Sequence, residues 1–194
     1  MALLSQGGRC RGGWARWLAV VFLSTWALTP AQAQKPTFNE RELKAVFLLT
    51  FARFVDWPAS AFDHAQSPIV IDVLGDDSFG RLLDGVVAGE MAMSRPLTVR
   101  RFAHGEDVVA CQILFISRSE ARRDEQLFAS LRERPVLTVG DSEGFASLGG
   151  MIRFVTESTR IRLHVNVEAV KAAGLTLGSR LLRAAAIVPT TRTP

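Results

Sequence analysis

The stretch VLTVGDSEGFASLGGMIRFV, residues 136–155, contains two short apolar runs separated by a loop rich in glycine. The first run, residues 136–139, and the second, residues 151–155, have the length and the β-branched content of strands. A glycine-rich loop after a strand is also where many nucleotide-binding proteins hold phosphate. The stretch therefore indicates either a phosphate site or a tight connection within a sheet.

The segment between the two runs, residues 140–150, is called the glycine loop below, and it lacks the residues of a phosphate site. Gly144 and Gly149 have the glycine spacing of a P-loop, but Gly150 and Met151 stand where a P-loop carries lysine and a hydroxyl residue. A strand rather than a helix is predicted to follow, so no helix N-terminus would face an anion. We interpret the loop as a tight connection whose glycines allow positive φ.

Upstream of the glycine loop, predicted strands alternate with predicted helices. The strands are residues 69–75, 97–102, 113–116 and 135–140. One later helix is predicted over residues 79–87, and another is capped by residues 117–120 and ends at Leu131. The first helix follows Asn39 as its N-cap and ends at Trp57-Pro58. Six residues, all but Thr50 apolar, recur at intervals of three and four, as in an amphipathic helix: Leu43, Val46, Phe47, Thr50, Phe51 and Phe54. This alternation is typical of a parallel sheet.

Downstream of the glycine loop the pattern changes. Residues 151–156 and 160–166 are joined by a short polar segment, which predicts an antiparallel hairpin. A short helix over residues 167–173 and a closing helix over residues 178–187 complete the predicted elements. We therefore predict a single compact α/β domain over residues 34–188. It has a mostly parallel sheet flanked by helices, a C-terminal antiparallel hairpin, and a flexible tail over residues 189–194.

Residues 1–33 have the layout of a secretory signal peptide. Arg9, Arg11 and Arg16 precede an apolar core, residues 17–28, and no acidic residue is present. Small residues before Gln34 predict cleavage between Ala33 and Gln34, which would place the chain in the periplasm. The apolar core is shorter than the roughly 20 residues that span a bilayer. The alternative is an uncleaved amphipathic anchor.

The net charge argues against nucleic-acid binding. The whole chain carries a net charge of +4, but without the leader it has 20 basic and 19 acidic residues. Binding to nucleic acid requires a concentrated basic surface. We interpret the one local cluster, formed by Arg95, Arg100 and Arg101, as a solvated strand end.

Catalytic and metal-binding patterns are absent from the sequence. The histidines, His64, His104 and His164, are not spaced with other ligands as a zinc site requires. No Gly-x-Ser-x-Gly elbow occurs, and Cys111 has no local protease signature. We predict no enzyme activity, no metal and no cofactor. After removal of the leader Cys111 would be a free thiol, either buried or paired between two chains.

Two sets of residues are candidates for binding. The carboxyl ends of two predicted parallel strands carry Asp76 and Asp77, and Asp141 and Ser142, where an α/β sheet has its ligand cleft. Asp76 and Asp77 also fit a helix cap. Phe145 and Leu148 are large apolar residues in the otherwise polar glycine loop. They would suit a partner interface if exposed, and the alternative is that both fold into the core.

Five stretches occur along the chain in a fixed order: AVFLLTFARFVDWP (45–58), IVIDVLGDDSFGRLL (69–83), CQILFIS (111–117), PVLTVGDSEGFASLGGMIRFV (135–155) and IRLHVNVEAVKAAGLTLGSRLL (161–182). Together they resemble the YfiR family of exported bacterial proteins, over nearly the whole chain after the leader. The resemblance implies a compact, often dimeric α/β domain. It also implies a periplasmic regulator that holds an inner-membrane diguanylate cyclase inactive or accompanies a sensor kinase, and so controls cyclic di-GMP and biofilm formation.

The chain departs from the family in its cysteines. The resemblance implies a cysteine pair at the positions of Ala146 and Arg153 in some relatives, and a pair at the positions of Asp72 and Cys111 in others. Only Cys111 is a cysteine here. Redox control through a disulfide is therefore not carried over from those relatives to this chain. Two functions are expected: a protein-binding regulator of a membrane receptor, or a periplasmic small-molecule receptor that feeds a sensor kinase.

Overall fold

The computed structural model describes residues 39–103 and 110–189, the side chains of residues 123–125 excepted, and all of these residues belong to one compact unit. The helices are α1 (Glu40–Phe54), α2 (Arg81–Val87), α3 (Asp124–Leu131), α4 (Val167–Ala172) and α5 (Ser179–Arg183). The strands are β1 (Val55–Asp56), β2 (Ile69–Leu74), β3 (Met91–Ala92), β4 (Arg95–Phe102), β5 (Ile113–Ile116), β6 (Leu137–Gly140), β7 (Ile152–Glu157), β8 (Arg160–Val165), β9 (Thr176–Leu177) and β10 (Ala185–Ile187).

Eight of these strands form the main sheet, in the order β10-β8-β7-β6-β5-β2-β4-β3. Strands β4, β2, β5, β6 and β7 run parallel to one another, and β7 and β8 form the antiparallel hairpin. The predicted fold class is confirmed: a single α/β domain with a mostly parallel sheet and a C-terminal hairpin.

Strand β5 separates the two cores of the molecule. Ile113 and Phe115 face a large core, and Leu114 and Ile116 face a small one. The large core contains the buried sides of α1 and α2 and includes Leu48, Phe51, Val73, Leu83 and Phe154. The small core consists of Leu74, Cys111, Leu114, Ile116, Leu131, Val136 and Phe145, with Leu127 and Phe128 of α3 packed against it. Burial on both faces explains why β5 is apolar throughout.

The six residues that were predicted to form the apolar side of α1 coincide only in part with the side that the helix buries. Of its six residues Phe51 alone is buried, while Val46 and Phe54 are exposed. The buried apolar residues of α1 are Ala45, Leu48, Leu49, Phe51 and Ala52. The spacing of apolar residues did not predict the buried side, because α1 is apolar on two sides. The side that carries Ala45 and Ala52 packs on the sheet.

The predicted closing helix over residues 178–187 is wrong in its second half. Helix α5 ends at Arg183, and Ala185–Ile187 form β10, which pairs in parallel with β8. Alanine favours a helix locally, but here the backbone of these residues pairs with the free edge of β8, so tertiary context overrides propensity. The short pair β1 and β9, in which Val55 is opposite Leu177, was also not predicted.

Several sequence predictions fall outside the described residues. These are the leader with its cleavage between Ala33 and Gln34, His104, and most of the tail, residues 190–194. Among the helices of residues 39–103 and 110–189, none combines the length and the hydrophobicity that a membrane span requires.

Candidate functional site

The glycine loop is filled by its own phenylalanine. The ring of Phe145 is completely buried and packs edge-on against Phe128 of α3, with ring centroids 5.0 Å apart. A Cβ atom on Gly140 would lie 2.4 Å from this ring, and one on Gly150 would lie 2.3 Å from it. These two glycines therefore make room for an aromatic side chain, whereas Gly144 and Gly149 have positive φ.

Phe145 and Leu148 thus have different environments. Phe145 belongs to the small core and is not accessible to a partner, so the core alternative is confirmed for Phe145 and the partner-interface alternative is wrong for it. Leu148 is 36% exposed, and its contact with a partner stays a prediction. The loop is held by the backbone of Ala146, whose carbonyl accepts a 2.8 Å hydrogen bond from the buried Asn166 side chain.

The strand order reverses between β2 and β5, which is where an open α/β sheet usually binds a ligand. The loops after these strands close on each other here. The N–H of Asp76 donates to Ser119 Oγ at 3.0 Å, and a Cβ on Gly75 would lie 2.5 Å from the same oxygen. The loops after β2 and β5 are therefore in contact at Gly75, Asp76 and Ser119.

The side chain of Asp77 stabilises its own loop through hydrogen bonds. Its Oδ1 accepts hydrogen bonds from the N–H groups of Phe79 and Gly80, at 2.8 and 3.0 Å. Its Oδ2 lies 2.6 Å from Nε of Arg101, which also pairs with Asp84. Both carboxylate oxygens are thus engaged in the turn before α2, but the N-cap of α2 is Gly80 and makes no side-chain cap hydrogen bond, so the alternative of a helix cap at Asp76 and Asp77 is not confirmed. The side chain of Asp76 is exposed.

Asp141 belongs to a partly buried network at the carboxyl end of β6. Its Oδ2 lies 2.7 Å from Nζ of Lys44, which is almost completely buried in α1, and Lys44 also pairs with Glu40 at 2.7 Å. The hydrogen bond from Lys44 is the main cause that lowers the pKa of Glu40. The carbonyl of Asp141 accepts a hydrogen bond from Arg118 at 3.0 Å.

One carboxylate oxygen in this network accepts no hydrogen bond from the described residues. Oδ1 of Asp141 is buried and has no hydrogen-bond partner within the described parts of the chain. The neighbouring Ser142 is buried. Of the four predicted cleft residues, Asp76 and Asp77 lie at the end of β2, and Asp141 and Ser142 lie at the end of β6, on the other side of β5. That they line a ligand cleft stays a prediction.

A second charged site, which the sequence did not predict, lies in the small core. Asp72 is completely buried, and both of its oxygens accept hydrogen bonds from Arg100, from Nε and Nη2, each at 2.8 Å. Arg100 also donates to the carbonyl of Ala110. The carboxylate of Asp72 raises the pKa of Arg100. A charged residue within the apolar run of β2 was the signal that could have predicted such a partner.

Cys111 lies beside this ion pair. Its thiol is free and buried, which confirms the buried alternative for this side chain. Burial raises the pKa of the thiol strongly, and the neighbouring Asp72 carboxylate adds to this effect by its charge and by a hydrogen bond. The thiol is therefore protonated at neutral pH and is a poor nucleophile.

The interpretation of the three arginines as a solvated strand end holds only in part: Arg101 is exposed and Arg100 is half-buried, but all three guanidinium groups are bound by other groups of the chain. Arg95 donates to the carbonyls of His64 and Ser67 and stacks over the Phe62 ring at 3.8 Å from its centroid. Arg100 and Arg101 are held by carboxylates, as described above. These guanidinium groups stabilise the fold rather than form a free basic surface.

Comparison with known proteins identifies the family. A family model described as YfiR/HmsC-like matches residues 41–186. The chain belongs to this family. The match begins in α1 and ends in β10, so it includes both cores and every site described above. A search of curated proteins finds no match.

Family membership is in keeping with a periplasmic regulatory domain. Two features of the chain bear on what it can do chemically. Among the described residues, no three His, Cys, Asp or Glu side chains come together as metal ligands. In some relatives the resemblance implied a second cysteine that pairs with the one at the position of Cys111. This YfiR/HmsC-like chain has Asp72 there, which lies beside Cys111 and binds Arg100.

Proposed function

We propose that the chain is a periplasmic, non-enzymatic regulator that binds the periplasmic part of an inner-membrane signalling receptor and holds it inactive. The first expected receptor is a diguanylate cyclase, so that the chain lowers cyclic di-GMP and limits biofilm formation. The observation that carries this proposal is the YfiR/HmsC-like match over residues 41–186. The contact between the loops after β2 and β5 favours a protein-binding role, since it narrows the usual ligand position of the fold.

The mechanism is a population shift. A regulator that binds the inactive state of a receptor more tightly than the active state shifts the receptor towards the inactive state. An almost complete switch requires a difference in affinity of about 10⁴-fold, equivalent to about 5.5 kcal/mol. The chain needs no catalytic group for this, only a surface that fits one receptor state.

The proposal is tested by deleting the gene and measuring cyclic di-GMP, together with crosslinking of the exported chain in living cells. We expect cyclic di-GMP to rise on deletion, and a membrane signalling receptor to be crosslinked. Unchanged cyclic di-GMP, unchanged output of neighbouring kinases and no crosslinked receptor would contradict the proposal.

A periplasmic small-molecule receptor that feeds a sensor kinase is the second candidate, and one observation favours it. Oδ1 of Asp141 is buried without a described partner, at a strand end where ligands bind in this class of fold. A ligand with an amino or hydroxyl donor could satisfy it. Thermal-shift screening of metabolites against the unaltered chain and Asp141→Asn tests this candidate. Stabilisation that Asp141→Asn abolishes supports it, and no stabilisation by any metabolite counts against it.

A further inference from the structure

The antiparallel hairpin has one face that neither core includes. The residues of β7 and β8 that point into the large core are Ile152, Phe154, Leu163 and Val165. Because side chains alternate along a strand, the residues between them point to the opposite side, called the outer face below: Arg153, Val155, Arg162 and His164. The small core contains no residue of β7 or β8 among those described. The outer face therefore carries polar side chains where the rest of the sheet carries apolar ones.

Arg153 and His164 are direct neighbours on the outer face. They are paired across β7 and β8, and the Cβ atoms of such a pair are about 5 Å apart. On one side, Arg153 is paired with Gly140 of β6, where the Phe145 ring takes up the space of a side chain. On the other side, His164 is paired with Ala186 of β10, which is exposed. The two polar side chains thus lie between a phenyl ring and a small residue.

Arg153 differs from Arg95 and Arg100, the other half-buried arginines among the described residues. Arg95 donates to two carbonyls, and Arg100 is held by the buried carboxylate of Asp72. Nε of Arg153 is buried as well, but it has no hydrogen-bond partner in the described part of the chain. Its guanidinium forms no ion pair with a described carboxylate either. A cation that is partly withdrawn from water without a partner costs free energy, so an acceptor that binds Arg153 removes this cost.

The acceptor that fits this pair of side chains is a carboxylate. The planar guanidinium of arginine offers two parallel N–H donors, which match the two oxygens of a carboxylate. His164 adds a ring N–H donor in either protonation state. Because Nε of Arg153 is shielded from water, a charged hydrogen bond formed there is stronger than one at an exposed arginine.

The charges along the hairpin favour a single acidic group over an acidic segment. Near the tip of the hairpin, Oε2 of Glu157 lies 3.2 Å from Nε of Arg162, so these two charges are matched to each other. Glu157 lies four residues beyond Arg153 on β7, a distance of about 13 Å along the strand. An extended acidic segment that follows the hairpin from Arg153 would meet the carboxylate of Glu157, whereas a small ligand at Arg153 would not.

The apolar neighbour of the pair is Val155. It is half-buried, follows Arg153 by two residues on the same face, and is the diagonal neighbour of His164 across the hairpin. A ligand whose carboxylate binds Arg153 can therefore bury a few methylene groups against Val155, and each buried methylene contributes about 0.8 kcal/mol.

We propose that Arg153 and His164 form a binding site for a small carboxylic acid with a short apolar chain. The carboxylate accepts hydrogen bonds from the guanidinium of Arg153 and from the ring of His164, and the chain lies against Val155. The site is separate from Asp141, whose buried oxygen would bind a donor rather than an anion. The inference goes beyond the proposed function and does not depend on it.

The test titrates the isotope-labelled exported chain with butyrate and follows the Nε–H signal of Arg153 and the backbone amide signal of His164 by NMR. We expect both signals to shift and to reach saturation, with a dissociation constant on the order of 1 mM. Butyramide has the same shape without the charge, and we expect it to bind at least about tenfold more weakly. This comparison uses the unaltered chain, so it does not depend on how a variant folds.

Two variants locate the site, with the His164 amide signal as the readout. We expect Arg153→Gln to weaken butyrate binding at least about tenfold and to keep the melting curve of the unaltered chain, because Arg153 has no described partner to lose. Arg132→Gln is the matched control, since Arg132 is an exposed arginine at the end of α3, and we expect it to bind butyrate normally.

Several outcomes would overturn the inference. If butyrate causes no saturable shift, the site binds no small carboxylate. If butyramide binds as well as butyrate, the class of ligand is wrong, and if Arg153→Gln binds butyrate as well as the unaltered chain does, the location is wrong. If butyrate does not bind but Arg153→Gln captures less of the membrane receptor than Arg132→Gln does, the carboxylate belongs to the receptor. The proposed function is tested separately, by cyclic di-GMP on deletion of the gene.

Discussion

At the scale of single residues, Phe145 explains the composition of the glycine loop. Its ring occupies the space next to Gly140 and Gly150, in the small core under α3. A loop pattern in the sequence does not show which way a side chain points, so the alternatives for Phe145 and Leu148 could not be decided before the structure. The residue types alone excluded a P-loop, because the glycine loop has no phosphate-binding lysine.

Truncation of Phe145 should destabilise the fold. We expect Phe145→Ala to lower the free energy of unfolding by about 3–5 kcal/mol, since it leaves a cavity in the small core. Leu148→Ala is the matched control in the same loop, and we expect it to change stability by less than about 1 kcal/mol, because Leu148 is 36% exposed. Urea unfolding measures both. Equal losses would show that the loop does not hold Phe145 as described.

The two neighbouring arginines of β4 should differ in their effect on stability. Arg100→Met leaves the carboxylate of Asp72 buried without its partner, and we expect a loss of about 3 kcal/mol in the free energy of unfolding. Arg101→Met breaks pairs with Asp77 and Asp84, whose side chains are 20% and 48% exposed. We expect it to cost about 1 kcal/mol or less. Denaturant titration of both variants checks the order, and an equal or reversed order would contradict it.

Cys111 should be unreactive in the folded chain. Burial and the adjacent Asp72 raise the pKa of its thiol, so the thiolate form is scarce at neutral pH. We expect iodoacetamide to leave the Cys111 peptide unmodified in the native protein and to modify it fully in urea, as measured by mass spectrometry. Rapid modification of the native protein would contradict the buried position of the thiol.

At the scale of secondary-structure elements, the sequence predicted the inner strands well and the sheet edges poorly. The predicted strand over residues 113–116 matches β5, because burial on both faces requires an uninterrupted apolar run. Strand β10 was predicted as helix, since three residues at a sheet edge carry too little pattern to oppose the helical propensity of alanine. In α1 the periodicity described two apolar sides, and only packing on the sheet decides between them.

Two asparagine caps provide a test at this scale. Asn39 caps α1 at the surface, and Asn166 caps α4 with its Oδ1 while its Nδ2 donates to the carbonyl of Ala146. Asn166→Asp keeps the cap but sets a buried carboxylate against that carbonyl, so we expect it to lower the melting temperature clearly. Asn39→Asp keeps an exposed cap, and we expect little change. Calorimetry of both variants measures this, and equal melting temperatures would contradict the described contact.

At the scale of the whole molecule, contacts between distant parts of the chain define the candidate sites. Lys44 and Asp141 are 97 residues apart in sequence and share a hydrogen bond. Asp72 and Arg100 meet because β2 and β4 are paired in register. The order of the strands decides such pairs, and the alternation of strands and helices predicts a parallel sheet without fixing that order. The sequence therefore predicted the class of the fold and the family, but not the contact between the loops after β2 and β5 or the buried ion pair.

The central claim is that the exported chain represses a membrane receptor from the periplasm. The most direct measurement is cyclic di-GMP in a deletion strain that expresses either the full chain or a chain that begins at residue 34 and stays in the cytoplasm. Because this shorter chain has a single cysteine, Cys111, it needs no internal disulfide to fold in the cytoplasm. At equal soluble levels, we predict that the full chain lowers cyclic di-GMP to its original level and that the chain without the leader does not. Equal restoration by both chains, or by neither, would contradict the account.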